Sequence, residues 1–291
     1  MHRINVIIIG LFVSITGSFA QIKPEILQPG KISNNGVFGY TLSPDGQEAF
    51  WVHSNGGRDT LQLMHARKVN GDWQKAGFAT FSGNYKWKDI DPMFSPDGNK
   101  ILFQSTRPVP GQVDREGFDI WAVDRTKTGW GEPYHLGEGI NTDESESFAS
   151  ITSSGNIYFM KRSGEQNNSD IWMSKPVDGK YQTPENIGTP INTLFRESNP
   201  FIAADESFII YFSSDTTGFG QVDLYISFRE DGKWTSPVNL GENINTSDAE
   251  FCPAYHASEK RLYFSRIVRG GPRNIENIFS VSFDPSEYRK R

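Results

Sequence analysis

The chain has 291 residues, with 35 acidic against 29 basic side chains and a formal net charge of −6 at pH 7. That balance, with no basic cluster, excludes a surface built for nucleic acid or anionic lipid. One cysteine, Cys252, excludes a disulfide framework, while 13% aromatics, 28 Gly and 16 Pro point to many short strands joined by tight turns.

The first twenty residues, MHRINVIIIGLFVSITGSFA, combine a charged start at Arg3, an apolar run from Ile4 to Ile15 and the small residues Ser18 and Ala20. This pattern predicts a secretory signal peptide over residues 1–20, cut after Ala20. The alternative, a transmembrane helix, needs about 20 apolar residues, and Ser14, Thr16, Gly17 and Ser18 interrupt this run. Because Gln21 rather than cysteine follows the cut, a lipid anchor is not expected. The predicted location is exported: periplasmic, outer-membrane-associated or extracellular. Residues 21–291 suffice for one large all-β domain or two average ones.

Beyond the leader, the chain repeats itself with a period of about fifty residues. An acid opens a short apolar run at Asp89 (DIDPMF), Glu146 (ESFASI), Glu197 (ESNPFI) and Glu250 (EFCPAY). A second strand follows as ILFQS from Ile101, IYFMK from Ile157, IYFSS from Ile210 and LYFSR from Leu262. A third reads DIWAV, DIWMS, DLYIS and NIFSV from Asp119, Asp170, Asp223 and Asn277. An aromatic, a proline and an "IN" pair close three units, as in WGEPYHLGEGINT from Trp130. No stretch keeps apolar residues at helical spacing.

Four short strands per repeat are the content of a propeller blade. The predicted fold is therefore all-β, a single propeller over residues 21–291. Its five four-stranded blades open near Val37, Asp89, Glu146, Glu197 and Glu250, with six blades as the alternative. The last unit lacks a fourth strand. Residues 21–36, with EILQPGKISNN like PVNLGENINTS, are expected to supply it and close the ring. Pro133, Pro184 and Pro237 fall in fourth strands, where a missing ladder donor discourages edge pairing. The tetrapeptide SPDG at Ser43 and again at Ser95 is a turn: proline presets φ and glycine takes the left-handed position.

FSPDGNKILFQSTR, GFDIWAVD and GFGQVDLYISFREDGKWTSPVNLGENINT together resemble the WD-like propeller repeat of TolB-like exported bacterial proteins. The resemblance spans nearly all of residues 21–291 and implies a propeller. It implies less about function, because propellers host binding modules and enzymes alike.

The acids Asp89, Glu146, Glu197 and Glu250 precede the innermost strands, so they are expected around one channel mouth. Such a ring can hold a hard cation such as calcium or attract a basic group; the competing use is to cap loop N–H groups, the usual fate of repeat-equivalent residues. Loops between second and third strands bring Arg58, Arg107, Arg115, Lys161, Arg162, Arg266, Arg269 and Arg273 to the same face, with Asp215 in blade four. Trp87, unmatched in other blades, is the candidate interaction aromatic, whereas Phe118 and Phe219 are expected to pack between blades. His53, His65, His135 and His256 lack metal-ligand spacing, no nucleophile elbow or phosphate loop is present, and Cys252 has no partner histidine.

These features predict no catalytic residues and no cofactor beyond a calcium-like cation. The expected function is a non-catalytic envelope module that binds or scaffolds a protein or glycan partner. The contact residues would be Asp89, Glu146, Glu197 and Glu250, with the rim residues Trp87, Arg107, Arg115, Arg162, Arg269 and Arg273. The alternative is a carbohydrate-active enzyme, a glycoside hydrolase or lyase, using carboxylates at the channel mouth.

Overall fold

The computed structural model of the protein describes residues 23–54, 57–109, 111, 117–163, 168–269, 271 and 273–289. The expected signal peptide and Arg115 lie outside them. No helix among the described residues is long and apolar enough to cross a membrane.

Five antiparallel sheets form a five-bladed β-propeller. The innermost strands are Val37–Leu42, Asp89–Phe94, Glu146–Ile151, Glu197–Ile202 and Ala249–His256. Each pairs with a second strand and that with a third, so every blade is a meander. The fourth strand is fragmentary: in blade two it consists of Gly129–Trp130 and Tyr134–His135, both paired with Asp119–Thr126. Pro133 lies in the gap, since its ring nitrogen cannot donate to a ladder. Glu25–Ile26 pairs with the third strand of blade five through Glu25↔Ser280 and Ile26↔Phe279, closing the ring. Asn35 and Asn277 lock the joint. The Asn35 N–H donates to Asn277 Oδ1 (2.9 Å), and Asn277 Nδ2 to Asn35 Oδ1 (2.9 Å).

The apolar runs do not alternate with polar residues because both faces of each blade are buried. Ile120 and Ala122 join Ile157 and Phe159 in one core, whereas Trp121 and Val123 face the other way and pack with Phe50 and Phe103. Each such buried side chain contributes about 1.5–3 kcal/mol, and none of the core depends on a crosslink.

The turns are built as the SPDG spacing requires. Gly46 and Gly98 have φ of 71° and 72°, and their N–H groups donate to Ser43 O (2.7 Å) and Ser95 O (2.9 Å). Asp97 accepts from Ser95 Oγ at 2.5 Å and from the Asn99 N–H at 3.0 Å. The "IN" asparagines act as clamps. Asn141 accepts from the Ile120 N–H (2.7 Å) and donates to Ile120 O (2.9 Å); Asn192 and Asn245 repeat the pattern on Ile171 and Leu224.

Candidate active site

The loop that each asparagine clamps delivers a threonine to the opening acid of the next blade. Glu197 accepts from the Thr193 N–H (3.0 Å), Thr193 Oγ1 (2.7 Å) and Ser213 Oγ (3.0 Å). Glu250 accepts from the Thr246 N–H (3.0 Å), Thr246 Oγ1 (2.7 Å) and Arg266 Nε (2.6 Å). Thr142 serves Glu146 in the same way. Asp89 accepts from Ser82 Oγ (2.7 Å), Ser105 Oγ (2.6 Å) and Arg107 Nη2 (2.8 Å). All four acids are wholly buried. Burial raises the pKa of Glu146, Glu197 and Glu250, and the threonine bonds oppose the rise. The expected channel-mouth ring is thus a set of inter-blade staples, and none of the four lines the cavity at that mouth.

The rim residues separate as well. Arg107 is buried rather than displayed, paired with Asp89 and resting on the rings of Trp87 (5.5 Å), Phe103 (4.9 Å) and Trp121 (5.4 Å). Trp87 is half-buried beside it. Arg162 is exposed, and Arg273 belongs to a separate cleft with Asn34, Asn35 and His53. Of the predicted rim residues that the structure describes, only Arg269 lines the channel-mouth cavity, joined there by Arg58 and Arg196. Among the described residues no group of three or more His, Cys, Asp or Glu could hold a metal ion.

The residues that line the cavity include three that lie two positions further on. Every innermost strand carries a β-bulge, seen as a register shift between Phe38/Thr41, Ile90/Met93, Ser147/Ser150, Ser198/Phe201 and Phe251/Ala254. In each bulge one residue takes a left-handed φ: Gly39 (62°), Asp91 (50°), Phe148 (45°), Asn199 (54°) and Cys252 (50°). The extra residue breaks the strand's alternation and re-aims a side chain. A proline follows in three blades, as Pro92, Pro200 and Pro253, where no ladder donor is needed. The backbone is repeated, but the five side chains are all different.

A cavity of about 420 Å³ opens over three of them, Asp91, Asn199 and Cys252. Asp91 accepts from Gln104 Nε2 at 2.6 Å and from the Cys252 thiol at 3.3 Å. Gly39 makes room for it, since a Cβ there would sit 3.2 Å from Asp91 Oδ1. Burial drives the Asp91 pKa up to about 6, against hydrogen bonds from Cys252 and Gln104 and the charge of Arg58; Glu276 adds to the rise. Arg58 itself is fixed by Glu276, with Nη2 at 2.5 Å and Nε at 3.0 Å from Oε1. Burial also pushes the Cys252 thiol well up, so the sulfur serves as a weak donor and not as a nucleophile.

Asn199 Oδ1 accepts from the Cys252 N–H at 3.0 Å, tying blades four and five across the channel. The arrangement places one carboxyl, able to hold or release a proton near neutrality, at the floor of a cation-rimmed cavity. The sequence did contain a signal for Asp91: DID carries two acids, and only the first has counterparts in other blades. What could not be read was the bulge that sends the second one inward.

No protein-family model matches the chain, and no curated protein matches it. Solved structures do. A thermostable family-43 glycoside hydrolase shares 10% identity at a TM-score of 0.55, over 90% of this chain and 94% of that one. A family-43 glycoside hydrolase retrieved from a capybara gut metagenome shares 16% identity at 0.54, over 87% and 52%. A family-43 endo-arabinanase from Bacillus licheniformis gives 10% at 0.51, over 88% and 97%. At such identities the likeness establishes the fold, a five-bladed propeller. The expectation of a non-catalytic binding or scaffold module is corrected on the same ground: these three structures are glycoside hydrolases, which favours the enzyme alternative.

Proposed function

We propose that the protein is an exported carbohydrate-active enzyme that cleaves a glycan at the channel mouth, with Asp91 as its proton-transferring group. One observation carries this reading: Asp91 is a buried carboxyl with a pKa near 6, lining the cavity, at a bulge whose equivalents in the other blades are Gly, Phe, Asn and Cys. Glycosidic cleavage needs a group that gives a proton to the departing oxygen and later takes one back. A carboxyl raised toward neutrality by burial does this efficiently at physiological pH.

Glu276, whose charge acts on Asp91, is the nearby second carboxylate, and Arg58 holds it in place. The named activity of the family-43 structures supports a glycan substrate. The resemblance of the repeats to TolB-like proteins, with the predicted leader, supports an envelope or extracellular site of action.

The test is turnover on a panel of neutral and acidic polysaccharides, followed by new reducing ends, which both hydrolysis and elimination produce. Cleavage that disappears in Asp91→Asn while the variant remains folded supports the assignment. Absence of cleavage across the panel by the native protein, or full activity in Asp91→Asn, overturns it.

A further inference from the structure

Six arginines of the described chain are paired with carboxylates: Arg58 with Glu276, Arg67 and Arg125 with Glu48, Arg107 with Asp89, Arg229 with Glu206 and Arg266 with Glu250. Arg196 and Arg269 differ. Both line the cavity above Asp91, and neither has an ion-pair partner among the described residues. The Arg196 guanidinium lies 5.3 Å from the centre of the Phe212 ring, which fixes its height at the cavity wall. Arg269 donates from Nη1 to Gln221 Oε1, a neutral acceptor that orients the fork and leaves its charge uncompensated. The two guanidiniums are close enough to oppose one another. Burial and then the charge of Arg269 lower the Arg196 pKa.

On a chain of net charge −6, two unpaired cations converging on one cavity are a local feature, not a result of general basicity. Carboxylates on the surrounding strands are committed elsewhere: Glu276 to Arg58, Glu250 to Arg266 and Glu197 to Thr193 and Ser213, while Asp91, in the same cavity, accepts from Gln104 and Cys252. A third cation, Arg58, completes the rim, stacked 4.5 Å over Phe38. Two forks facing an open, partly desolvated space match a planar oxyanion with paired acceptor oxygens.

We propose that Arg196 and Arg269 form a carboxylate-binding subsite, and that the glycan held at the channel mouth carries uronate groups. This rests on the channel-mouth reading above, but it concerns recognition and not cleavage. Carboxylate and sulfate ester are both oxyanions. The planar fork favours the carboxylate, whose two oxygens take paired N–H donors in one plane.

The experiment is calorimetric titration of the full chain, in the Asp91→Asn background to suppress turnover, with an oligogalacturonide, a neutral arabino-oligosaccharide of equal length and a sulfated oligosaccharide. The oligogalacturonide binds at least tenfold more tightly than the neutral oligomer, and its affinity falls with added salt. Arg196→Gln with Arg269→Gln reduces that affinity roughly ten- to a hundredfold while leaving the thermal midpoint unchanged, because both side chains are exposed. Arg196→Lys with Arg269→Lys keeps the charge, loses the fork and recovers only part of the affinity. Equal binding of acidic and neutral oligomers, tighter binding of the sulfated one, or unchanged binding in the double Gln variant overturns the proposal. Cleavage of a neutral glycan without uronate binding removes the subsite and leaves the enzyme. Charge-dependent binding without cleavage of any glycan keeps the subsite and removes the enzyme.

Discussion

Two sets of residues lie two positions apart on the innermost strands, four in one and five in the other, and they have opposite characters. The outer ring, Asp89, Glu146, Glu197 and Glu250, repeats a chemical type, and three of its members repeat the hydrogen bonds as well. The inner ring, Gly39, Asp91, Phe148, Asn199 and Cys252, repeats a backbone conformation and varies the side chain. A side chain that recurs with the fold serves the fold, because every blade needs the same loop fastened. A side chain that varies on a recurring backbone is free to serve something else, and only one of the five is an acid.

The sharpest way to break this contrast is to exchange functions between the rings. Asp91→Asn is expected to lower turnover by about 10²–10⁴-fold, the usual contribution of a positioned acid or base. The same variant should gain stability. A carboxyl whose folded pKa is about 6 against 3.8 unfolded stabilises fully below pH 3.8, and that contribution is lost as pH rises through 6. Above pH 6 the buried charge therefore opposes folding by about 3 kcal/mol, which Asn removes. Chemical denaturation at pH 5 and 8 checks this: the stabilisation should be larger at pH 8, and a destabilised variant at both values would contradict the burial account. In the native protein, the pH profile of turnover should carry a limb near 6 that is absent from any residual activity of Asp91→Asn.

Glu48 gives the reverse case at the interface of blades one and two. Its burial is outweighed by His65 Nε2 at 2.6 Å, Trp130 Nε1 at 3.0 Å and Arg125 Nη1 at 2.8 Å, so its pKa falls to about 2. A depressed carboxylate stabilises above its unfolded value of 4.5 and loses that contribution as pH drops toward 2. Glu48→Gln should lower stability by about 3 kcal/mol at pH 7 and by little at pH 2, with turnover per folded molecule unchanged.

Glu197→Gln tests the outer ring directly. It weakens three hydrogen bonds in a buried loop, with an expected loss of about 1–3 kcal/mol and no change in turnover per folded molecule. A selective loss of turnover would return catalytic weight to the outer ring. Gly39→Ala has the smallest expected effect, about 1–2 kcal/mol from a left-handed alanine, with the new Cβ crowding Asp91 Oδ1 and Val52 Cγ2. The limb near pH 6 should move with it, since the methyl group further desolvates the carboxyl.

The sequence by itself determined the blade repeat, the closing strand and the turns, and left six blades open beside five. SPDG, the "IN" clamps and the opening acids act over a few residues or recur at a fixed spacing, so their physics is local or periodic. It also carried the competing use of the acids, as caps within the repeat. The positions of Arg107 and Trp87 were not legible, because a guanidinium can stack on Trp87 and Phe103 and pair with Asp89 only after two blades have packed. Only the tertiary structure decided that Asp91, and not Asp89, lines the cavity. A bulge overrides the two-residue alternation on which strand reading depends, and its left-handed φ turns toward the channel a residue that neighbours in sequence do not distinguish. The cavity above it, with Arg196 from blade four and Arg269 from blade five, exists only where the blades converge.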